Sequence, residues 1–184
     1  MQIHLIRHGL TEGTKIPNYI GGRTDEPLCA EGVEQAGTFR NPQVKKAYVS
    51  PMLRCLQTAA IIFPNAELVK IEGFREIDFG DFEGKSAADL KNNSDYAEWV
   101  NSNCEFSCPN GENMSVFNER IRQAFITLTE TANKNREQQL YIVAHGGTIM
   151  AIMSHLNPNS DYFDWRTKHL NGYAFAYNPS NNCS

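Results

Sequence analysis

Two histidines of this chain stand directly after short apolar runs, at points where buried strands would end. His8 lies in the stretch RHG after residues 3–6, and His145 opens the stretch HGG after residues 140–144. Open α/β sheets bind their ligands outside the carboxyl ends of the strands. One histidine in such a place is more often structural than catalytic. Two of them, each followed by glycine that lets a ligand approach the backbone, indicate a functional site.

An arginine and a glutamate can reach the same place. Arg54 lies one turn into a predicted helix that follows a strand, so its guanidinium can extend back over the sheet edge. Glu76 lies in the stretch REIDFGDFEG, where partial burial among aromatic side chains can raise a carboxyl pKa. The predicted helix that opens at Gly147 would direct free N–H groups and the positive end of its dipole toward this edge. Together these residue types predict an anion-binding site equipped for acid–base chemistry.

The elements that must position these residues alternate between strand-like and helix-like segments. This alternation predicts an α/β fold with a mostly parallel central sheet and helices on both faces. The predicted strands cover residues 1–6, 47–49, 68–71, 140–144 and 172–177. The predicted helices cover residues 31–39, 51–63, 87–91, 96–100, 114–133 and 147–156. Ser50 is the expected N-cap of the second helix, with Pro51 as its first residue. We expect one domain over residues 1–184, in which the irregular, partly helical segment 72–113 caps the C-terminal strand ends.

The composition excludes several classes of function. Of the 184 residues 41% are hydrophobic and 21% are charged, as in ordinary globular proteins. The formal net charge of −4 argues against nucleic-acid and membrane partners, so an anionic substrate would need a local positive cluster. No apolar run approaches the ~20 residues that cross a bilayer, and residues 1–10 lack the pattern of a secretory signal. The five cysteines lack metal-ligand spacing, which predicts free thiols and a cytoplasmic location.

Four motifs occur in order along the chain: RHGxT at residues 7–11, SPxxRxxQTA at 50–59, RExxFGxFEG at 75–84 and HGG at 145–147. Smaller matches are GxxDxPLxxxG at residues 22–32, followed by Gln35-Ala36, and PxGE at 109–112, leading to Arg120. Through this ordered set the chain resembles the histidine phosphatase superfamily, in its phosphoglycerate-mutase-like branch, over nearly its whole length. Its compact length makes it most similar to the short bacterial α-ribazole-phosphatase-like members.

The resemblance implies a role for each residue of the predicted site. His8 would be the nucleophile that accepts a phosphoryl group, which suits a neutral imidazole. Arg7, Arg54 and a protonated His145 would clamp the phosphoryl oxygens. Glu76 would protonate the leaving alcohol and then activate water. Further contacts to the substrate are implied for Thr11, Gly22, Arg23 and Gly146.

Three other functions share parts of this pattern with a phosphohistidine phosphatase. A phosphoglycerate-type phosphomutase shares the chemistry, but those chains are longer, and this one is short between Glu76 and Gly111, which favours attack by water. A non-catalytic phosphate-binding module would lack His8 or Glu76, and both are present. A metal hydrolase with His8 and His145 as ligands is disfavoured because arginine neighbours repel a cation. We therefore expect no metal, no cofactor and a small phosphorylated metabolite as substrate, α-ribazole 5′-phosphate being one candidate. A homo-oligomer is compatible with the sequence.

Two features of the sequence bear on substrate choice. Four positions depart from the pattern of the family, and members often carry Glu, Asn, Thr and Ser in place of Leu10, Thr14, Cys29 and Asn113. The aromatic residues of the cap either line the pocket or form a small core of their own. These are Phe82, Tyr96, Trp99 and Phe106.

Overall fold

Five strands form one twisted sheet in the order β3-β2-β4-β1-β5. The computed structural model describes residues 1–102 and 104–179. Its strands are β1 (Gln2–Arg7), β2 (Lys46–Val49), β3 (Glu67–Lys70), β4 (Gln139–Ala144) and β5 (Gly172–Ala176). The first four strands run parallel, and β5 pairs antiparallel with β1 at the edge of the sheet. The predicted mostly parallel sheet is confirmed.

The register of the two central strands brings the two histidines together. β1 and β4 are parallel neighbours in which Arg7 pairs with Ala144. The next residues along these strands are His8 and His145, so both imidazoles leave the sheet at the same edge. Only a parallel pairing of these strands produces this arrangement, since in an antiparallel pair the two carboxyl ends would lie at opposite edges.

Helices cover both faces of the sheet, as predicted. They are α1 (Glu12–Lys15), α2 (Ala30–Gly37), α3 (Leu53–Ile62), α4 (Ala87–Leu90), α5 (Ser94–Asn101), α6 (Met114–Lys134) and α7 (Gly146–Leu156). Short 3₁₀ turns occupy Glu72–Phe74, Gly80–Phe82 and Tyr162–Trp165. Four of these elements were not predicted, namely α1 and the three 3₁₀ turns. α1 forms within an expected loop because Thr11 and Thr14 build a capping box around its first turn.

The alternation of side chains along the strands creates a core on each face. On one face, α6 and α7 pack over buried residues of β1 and β4, which are Ile3, Leu5, Leu140 and Ile142. On the other face, α2 and α3 pack over Ala47, Val49 and Val143. The apolar stripe predicted for α6 is buried at Phe117, Ile121, Phe125 and Leu128. These two cores leave the carboxyl edge of the sheet to carry the polar side chains.

The segment between β3 and α6 has a third, small core. Its buried members are Phe82, Leu90, Trp99 and Cys108, with Tyr19, Phe79 and Tyr96 packed against them. Phe82 and Trp99 therefore contribute to a core of the cap itself. Phe106 does not, because 54% of its surface is exposed to solvent.

The predicted start of α3 was wrong. The helix begins at Leu53 with Met52 as its N-cap, and Met52 provides no side-chain cap. Instead, the Leu53 N–H donates to Asp25 Oδ1 at 2.6 Å, so a carboxylate remote in sequence closes the helix end. The Ser50 hydroxyl instead lies 2.7 Å from His145 Nε2. A tertiary contact of this kind carries no local sequence signal.

Two further predictions concern free cysteine thiols and the length of the apolar runs. Four cysteines are free thiols: Cys29, Cys55, Cys104 and Cys108. Cys183 lies outside the described residues. Within those residues, no helix combines the length and the apolar character needed to cross a membrane.

Candidate active site

The carboxyl edge of β1 and β4 carries a basic cluster of four residues, Arg7, His8, Arg54 and His145. Three of them are almost fully buried, with exposed fractions of 3% for His8 and 0% for Arg54 and His145. The two imidazole rings lie 5.2 Å apart between centroids. Glu76 adjoins the cluster and is 8% exposed. The residues that the sequence predicts to be catalytic therefore meet at one place.

The backbone determines which nitrogen of His8 can react. His8 Nδ1 donates its proton to the Gly9 carbonyl oxygen at 2.7 Å, because a carbonyl can only accept. The lone pair therefore resides on Nε2. Burial, followed by the positive charges of Arg54 and Arg7, holds the pKa of His8 well below its ordinary value. The imidazole is thus neutral at physiological pH, as a nucleophile must be.

Gly9 ties the histidine loop to α3. Its N–H donates to Thr58 Oγ1 at 2.9 Å, and the Thr58 hydroxyl in turn donates to the Arg54 carbonyl at 2.7 Å. The His8 N–H continues the β1–β4 ladder to the Ala144 carbonyl at 2.9 Å. Strand end and helix start are thereby held in a fixed relation, which limits the freedom of the imidazole.

Arg54 is a fully buried guanidinium held by acceptors rather than by a carboxylate. It donates from Nη1 to the Thr24 carbonyl at 2.7 Å and from Nη2 to the Gly21 carbonyl at 3.0 Å. Its Nε–H donates to His145 Nδ1 at 3.2 Å. These bonds use three of the five N–H donors of arginine, so two remain for a ligand. The three bonds fix the orientation of the guanidinium, and its other N–H groups can donate to a ligand.

Arg7 has a buried donor without an acceptor. Its Nη1 donates to the Thr167 carbonyl at 2.6 Å. Its Nε is buried and has no hydrogen-bond partner among residues 1–102 and 104–179. Buried polar atoms are nearly always paired in folded proteins, so an unpaired one calls for an explanation such as a ligand. Burial also lowers the pKa of Arg7, while the nearby Glu76 opposes that shift.

His145 differs from the prediction in its charge. Because Arg54 occupies Nδ1 as a donor, the ring proton lies on Nε2 and is donated to Ser50 Oγ at 2.7 Å. Burial, then the charges of Arg54, His8 and Arg7, lowers the pKa of His145 well below its usual range. The expectation of a protonated His145 was therefore wrong for this arrangement, since the sequence does not reveal complete burial beside two guanidiniums. An anion between the arginines would oppose the shift.

Glu76 lies at the N-terminus of α7 with the character of a weak acid. Its Oε2 accepts the Gly147 N–H at 2.9 Å and its Oε1 accepts the Ile77 N–H at 3.2 Å. Burial raises the carboxyl pKa, although these bonds and the arginine charges work in the opposite direction. An added Cβ at Gly147 would lie 2.4 Å from Glu76 Oε1, so the carboxyl keeps this position only beside glycine. The predicted elevated pKa is confirmed in direction.

Of the four residues with implied substrate contacts, two glycines lie beside the site, whereas Thr11 supports a loop. Gly146 begins α7 against Arg7, and a Cβ there would lie 3.5 Å from the guanidinium carbon. The Gly22 N–H donates to the Ile77 carbonyl at 2.8 Å, next to Glu76. Thr11 is fully buried and donates its hydroxyl to Glu26 while capping α1, so its hydroxyl supports the loop.

Arg23 points its guanidinium at the cap. Its Nε lies 2.7 Å from Asp78 Oδ1, and its Nη2 donates to the Asn110 carbonyl. The implied contact of Arg23 with substrate would require these bonds to be exchanged. In the described structure the arginine connects the loop after α1 to the cap.

Three of the four departures from the family pattern serve helix ends. Thr14 completes the capping box of α1, and the Cys29 thiol accepts the Gly32 N–H at 3.4 Å at the start of α2. Asn113 Oδ1 accepts the Val116 N–H at 2.7 Å and caps α6. The fourth, Leu10, accepts the Cys29 N–H through its carbonyl, which any residue could do. The substitutions therefore affect the frame around the site, because none of them belongs to the basic cluster.

The segment between α7 and β5 contributes residues that sequence reasoning missed. His169 Nδ1 donates to the His8 carbonyl at 3.0 Å, and its ring lies 5.2 Å from the His8 ring between centroids. Burial and the charge of Arg7 lower the pKa of His169 to about 4. The Tyr162 hydroxyl donates to the Gly147 carbonyl at 3.1 Å. A third histidine just before the closing strand was the available signal, but no spacing connected it to His8.

Two cavities adjoin Glu76 from different sides. The polar cavity, of about 520 Å³, is lined by Glu76 and by charged residues that include Glu72, Arg75, Asp78, Glu112 and Arg120. The aromatic cavity, of about 370 Å³, is lined by Glu76, Gly147 and Arg166 and by six aromatic side chains: Tyr19, Phe79, Tyr96, Trp99, Tyr162 and Phe163. Within the described residues, no three histidine, cysteine or acidic side chains are grouped as a metal site would require.

Comparison with known proteins places this geometry in a family. The sequence profile of the histidine phosphatase superfamily (branch 1) matches residues 3–178. A Hydrogenobacter thermophilus protein with the provisional name phosphoserine phosphatase 2 is 31% identical over 160 residues, which cover 83% of this chain and 76% of that protein.

Solved structures agree over most of both chains. The α-ribazole phosphatase from Shigella flexneri has a TM-score of 0.80 at 26% identity, covering 92% of this chain and 87% of that one. Phosphoserine phosphatase from Entamoeba histolytica, in complex with 3-phosphoglyceric acid, has a TM-score of 0.76 at 26% identity with the same coverage of 92% and 87%. The profile match spans the basic cluster and Glu76. The chain therefore belongs to the histidine phosphatase superfamily, branch 1, and is an enzyme of that family.

Proposed function

We propose that this enzyme is a metal-independent phosphomonoesterase that hydrolyses a small phosphorylated metabolite through a phosphohistidine at His8. One observation carries the proposal. A neutral imidazole with its lone pair on Nε2 lies beside two guanidiniums, one of which keeps a buried Nε–H without an acceptor among the described residues. A phosphoryl group supplies the acceptors that this arrangement lacks and the electrophile that His8 requires.

The first half-reaction transfers the phosphoryl group to the enzyme. The His8 Nε2 lone pair forms a bond to phosphorus while the ester P–O bond breaks. Glu76 gives its proton to the departing alcohol oxygen and becomes a carboxylate, which its raised pKa makes possible near neutrality. The guanidiniums of Arg7 and Arg54 stabilise the charge on the equatorial oxygens during transfer.

The second half-reaction restores the enzyme. The Glu76 carboxylate accepts a proton from water as the water oxygen bonds to phosphorus, and the P–N bond breaks. The electron pair returns to His8 Nε2, and orthophosphate leaves. The His8 Nδ1–H stays bonded to the Gly9 carbonyl throughout, so the same nitrogen is ready for the next cycle.

Hydrolysis is favoured over phosphoryl transfer to a second alcohol. Relatives with mutase names and relatives with phosphatase names both match this chain, so the family alone leaves the acceptor open. The polar cavity supports water as the acceptor, because its charged lining extends directly to Glu76. Among substrates, α-ribazole 5′-phosphate is our first candidate, since an α-ribazole phosphatase is among the structural neighbours.

The decisive experiment measures phosphate release from p-nitrophenyl phosphate in the presence of excess EDTA. The wild-type enzyme should keep full activity, and rapid quenching after reaction with ³²P-labelled substrate should yield labelled enzyme. His8→Ala should lose at least about 1,000-fold in kcat and should carry no label. His4→Gln is the matched control, because His4 lies earlier on β1 with its ring stacked on Tyr141 at 4.5 Å. A strict metal requirement, or near-normal activity of His8→Ala, would overturn the mechanism.

A substrate panel then refines the assignment. α-Ribazole 5′-phosphate, phosphoserine and the phosphoglycerates are compared by kcat/KM, with isomerisation of the phosphoglycerates followed in parallel. Hydrolysis of at least one ester without isomerisation is the expected result. Isomerisation faster than phosphate release would establish the mutase alternative instead.

A further inference from the structure

The three tyrosine hydroxyls of the aromatic cavity are already hydrogen-bonded, whereas the buried Trp99 Nε1 has no partner among the described residues. The Tyr19 and Tyr96 hydroxyls are hydrogen-bonded to each other at 2.8 Å. The Tyr162 hydroxyl donates to the Gly147 carbonyl at 3.1 Å. The tyrosines therefore offer ring surface to a ligand, because their polar atoms are engaged within the protein. Surfaces of this kind favour an apolar or aromatic group over a polar one.

The aromatic side chains also meet one another edge to face. Tyr19 lies against Trp99 at 5.5 Å between centroids with an interplanar angle of 84°, and Phe79 lies against Trp99 at 6.2 Å with 86°. Rings packed in this way hold their positions, since each is fixed by its neighbours. A planar group entering the cavity meets walls that are already oriented.

The charge of the aromatic cavity differs from that of the polar cavity. Its charged lining consists of Glu76 at the inner end and Arg166, whose guanidinium carbon lies 4.6 Å from the Phe163 ring centroid. In the polar cavity, acidic groups outnumber basic ones, and Arg120 and Arg75 are paired with Glu112 and Glu72 at 2.7 and 3.3 Å. An uncharged alcohol group therefore fits the aromatic cavity better than the polar cavity.

The aromatic cavity reaches Glu76, the proton donor of the proposed reaction. Glu76 and Gly147 both line it, and the Gly147 N–H holds Glu76 Oε2 at 2.9 Å. The alcohol oxygen that Glu76 protonates must lie within hydrogen-bonding reach of that carboxyl. The remainder of the alcohol then extends into a volume of about 370 Å³, which suits one small ligand group.

From these observations we infer that the aromatic cavity is the leaving-group site and that it selects phosphate esters whose alcohol carries a planar aromatic ring. The inference rests on the proposed function, because it assigns the alcohol released in the first half-reaction. Phe163 and Trp99 are the ring-contacting residues, and Arg166 covers the Phe163 face at the mouth. Small alcohols without a ring gain less from such walls, since they cover less of the apolar ring surface.

The first test uses esters whose leaving oxygens have similar basicity. 2-Phenylethyl phosphate, 2-cyclohexylethyl phosphate and ethyl phosphate are all primary alkyl esters, so they make similar demands on Glu76. We expect kcat/KM for the phenyl ester to exceed that for ethyl phosphate at least about 10-fold and that for the cyclohexyl ester at least about 3-fold. Equal values for the phenyl and ethyl esters would overturn the leaving-group site. Equal values for the phenyl and cyclohexyl esters would overturn the selection of aromatic rings.

The second test removes one wall. Phe163 is 38% exposed, so Phe163→Ala is compatible with folding. We expect KM for 2-phenylethyl phosphate to rise about 5-fold with little change in kcat, and KM for ethyl phosphate to rise less than about 2-fold. Phe106→Ala is the matched control, because Phe106 is a cap phenylalanine that is 54% exposed and lines neither cavity. Equal effects of the two substitutions would contradict the assignment.

Binding without turnover separates the inference from the proposed function. Calorimetric titration of His8→Ala with 2-phenylethyl phosphate and with ethyl phosphate compares affinities in the absence of chemistry. A preference for the phenyl ester of at least about 5-fold supports the cavity even if the wild-type enzyme hydrolyses neither ester, in which case only the proposed function fails. Equal affinities overturn the inference whatever the activity.

Discussion

The basic cluster and the aromatic cavity meet at Glu76 but are built in opposite ways. The side chains of the cluster are held by backbone carbonyls, as the bonds of Arg54 to Gly21 and Thr24 in the loop between α1 and α2 illustrate. The cavity is enclosed by aromatic side chains from segments far apart in sequence, which contact one another. The backbone thus determines the chemistry, and side-chain packing determines what is brought to it.

The two regions also differ in how their polar groups are satisfied. The cluster contains buried donors in excess, including the Arg7 Nε that has no partner within the described part of the chain. The cavity pairs its tyrosine hydroxyls internally, as in the bond between Tyr19 and Tyr96, and the buried donor that it leaves without a partner in the described structure is the uncharged Trp99 Nε1–H. An unpaired buried donor costs folding energy unless a ligand accepts from it. The comparison predicts strong anion dependence in the cluster and weak, apolar selectivity in the cavity.

Among the changes that test this comparison, Arg54→Lys is expected to have the largest effect. A lysine retains the charge but not the planar set of donors that spans two carbonyls, His145 and a ligand. We expect kcat/KM for p-nitrophenyl phosphate to fall about 100- to 1,000-fold. Arg122→Lys, at an exposed arginine paired with Glu119 at 2.7 Å, serves as the control and should keep wild-type activity. A similar loss in both variants would mean that the cluster has no special role.

Glu76→Gln should separate esters by the basicity of their leaving oxygen. For the rate of phosphoenzyme formation we expect a loss of about 100-fold with alkyl phosphates and little change with p-nitrophenyl phosphate, whose leaving group departs without a proton. Hydrolysis of the phosphohistidine, in which Glu76 accepts a proton from water, should slow equally whichever ester supplied the phosphoryl group. Burial raises the pKa of Glu76, and the protonated form donates, so wild-type activity on alkyl phosphates should fall as pH rises through that pKa. The variant should lack this alkaline decline. Equal losses in the rate of phosphoenzyme formation for both kinds of ester would contradict the role of general acid.

Gly147→Ala tests the junction of the two regions. The added Cβ would press on Glu76 Oε1 from 2.4 Å, so the carboxyl must move. We expect kcat for alkyl phosphates to fall roughly 10-fold. Gly37→Ala is the control, because nothing lies within 4 Å of a Cβ built at that helix end. If Gly147→Ala is as active as Gly37→Ala, the position of Glu76 is less constrained than the contacts indicate.

The smallest effect is a thermal shift caused by orthophosphate. An anion that binds between Arg7 and Arg54 stabilises the folded state by about 2.7 kcal/mol at a hundredfold excess over Kd, which raises Tm by roughly 5–10 °C for a chain of this size. Arg54→Lys should lose most of this shift. Calorimetry with potassium chloride at matched ionic strength controls for salt. An equal shift with chloride would show that the stabilisation is not due to a phosphate site.

Local patterns were sufficient for most of the sheet and the long helices. The apolar run of residues 140–144 predicted β4 (Gln139–Ala144), and the stripe with helical spacing predicted α6 (Met114–Lys134). Such elements bury one regular face, which period and propensity record directly. α1 and the true start of α3 were missed, since their ends depend on Thr14 and on Asp25, a partner 28 residues from Leu53.

The sequence by itself determined that two histidines follow apolar strands and that two arginines and a glutamate lie in motifs beside them, because strand periodicity and the order of motifs along the chain are encoded locally. Only the tertiary structure decided their states. His8 and His145 are neutral because burial and two guanidiniums act on them together. Trp99 encloses a cavity while Phe106 faces solvent, although both belong to the same irregular segment. Charge state and packing depend on the sum of many distant neighbours, and no short stretch of sequence contains that sum.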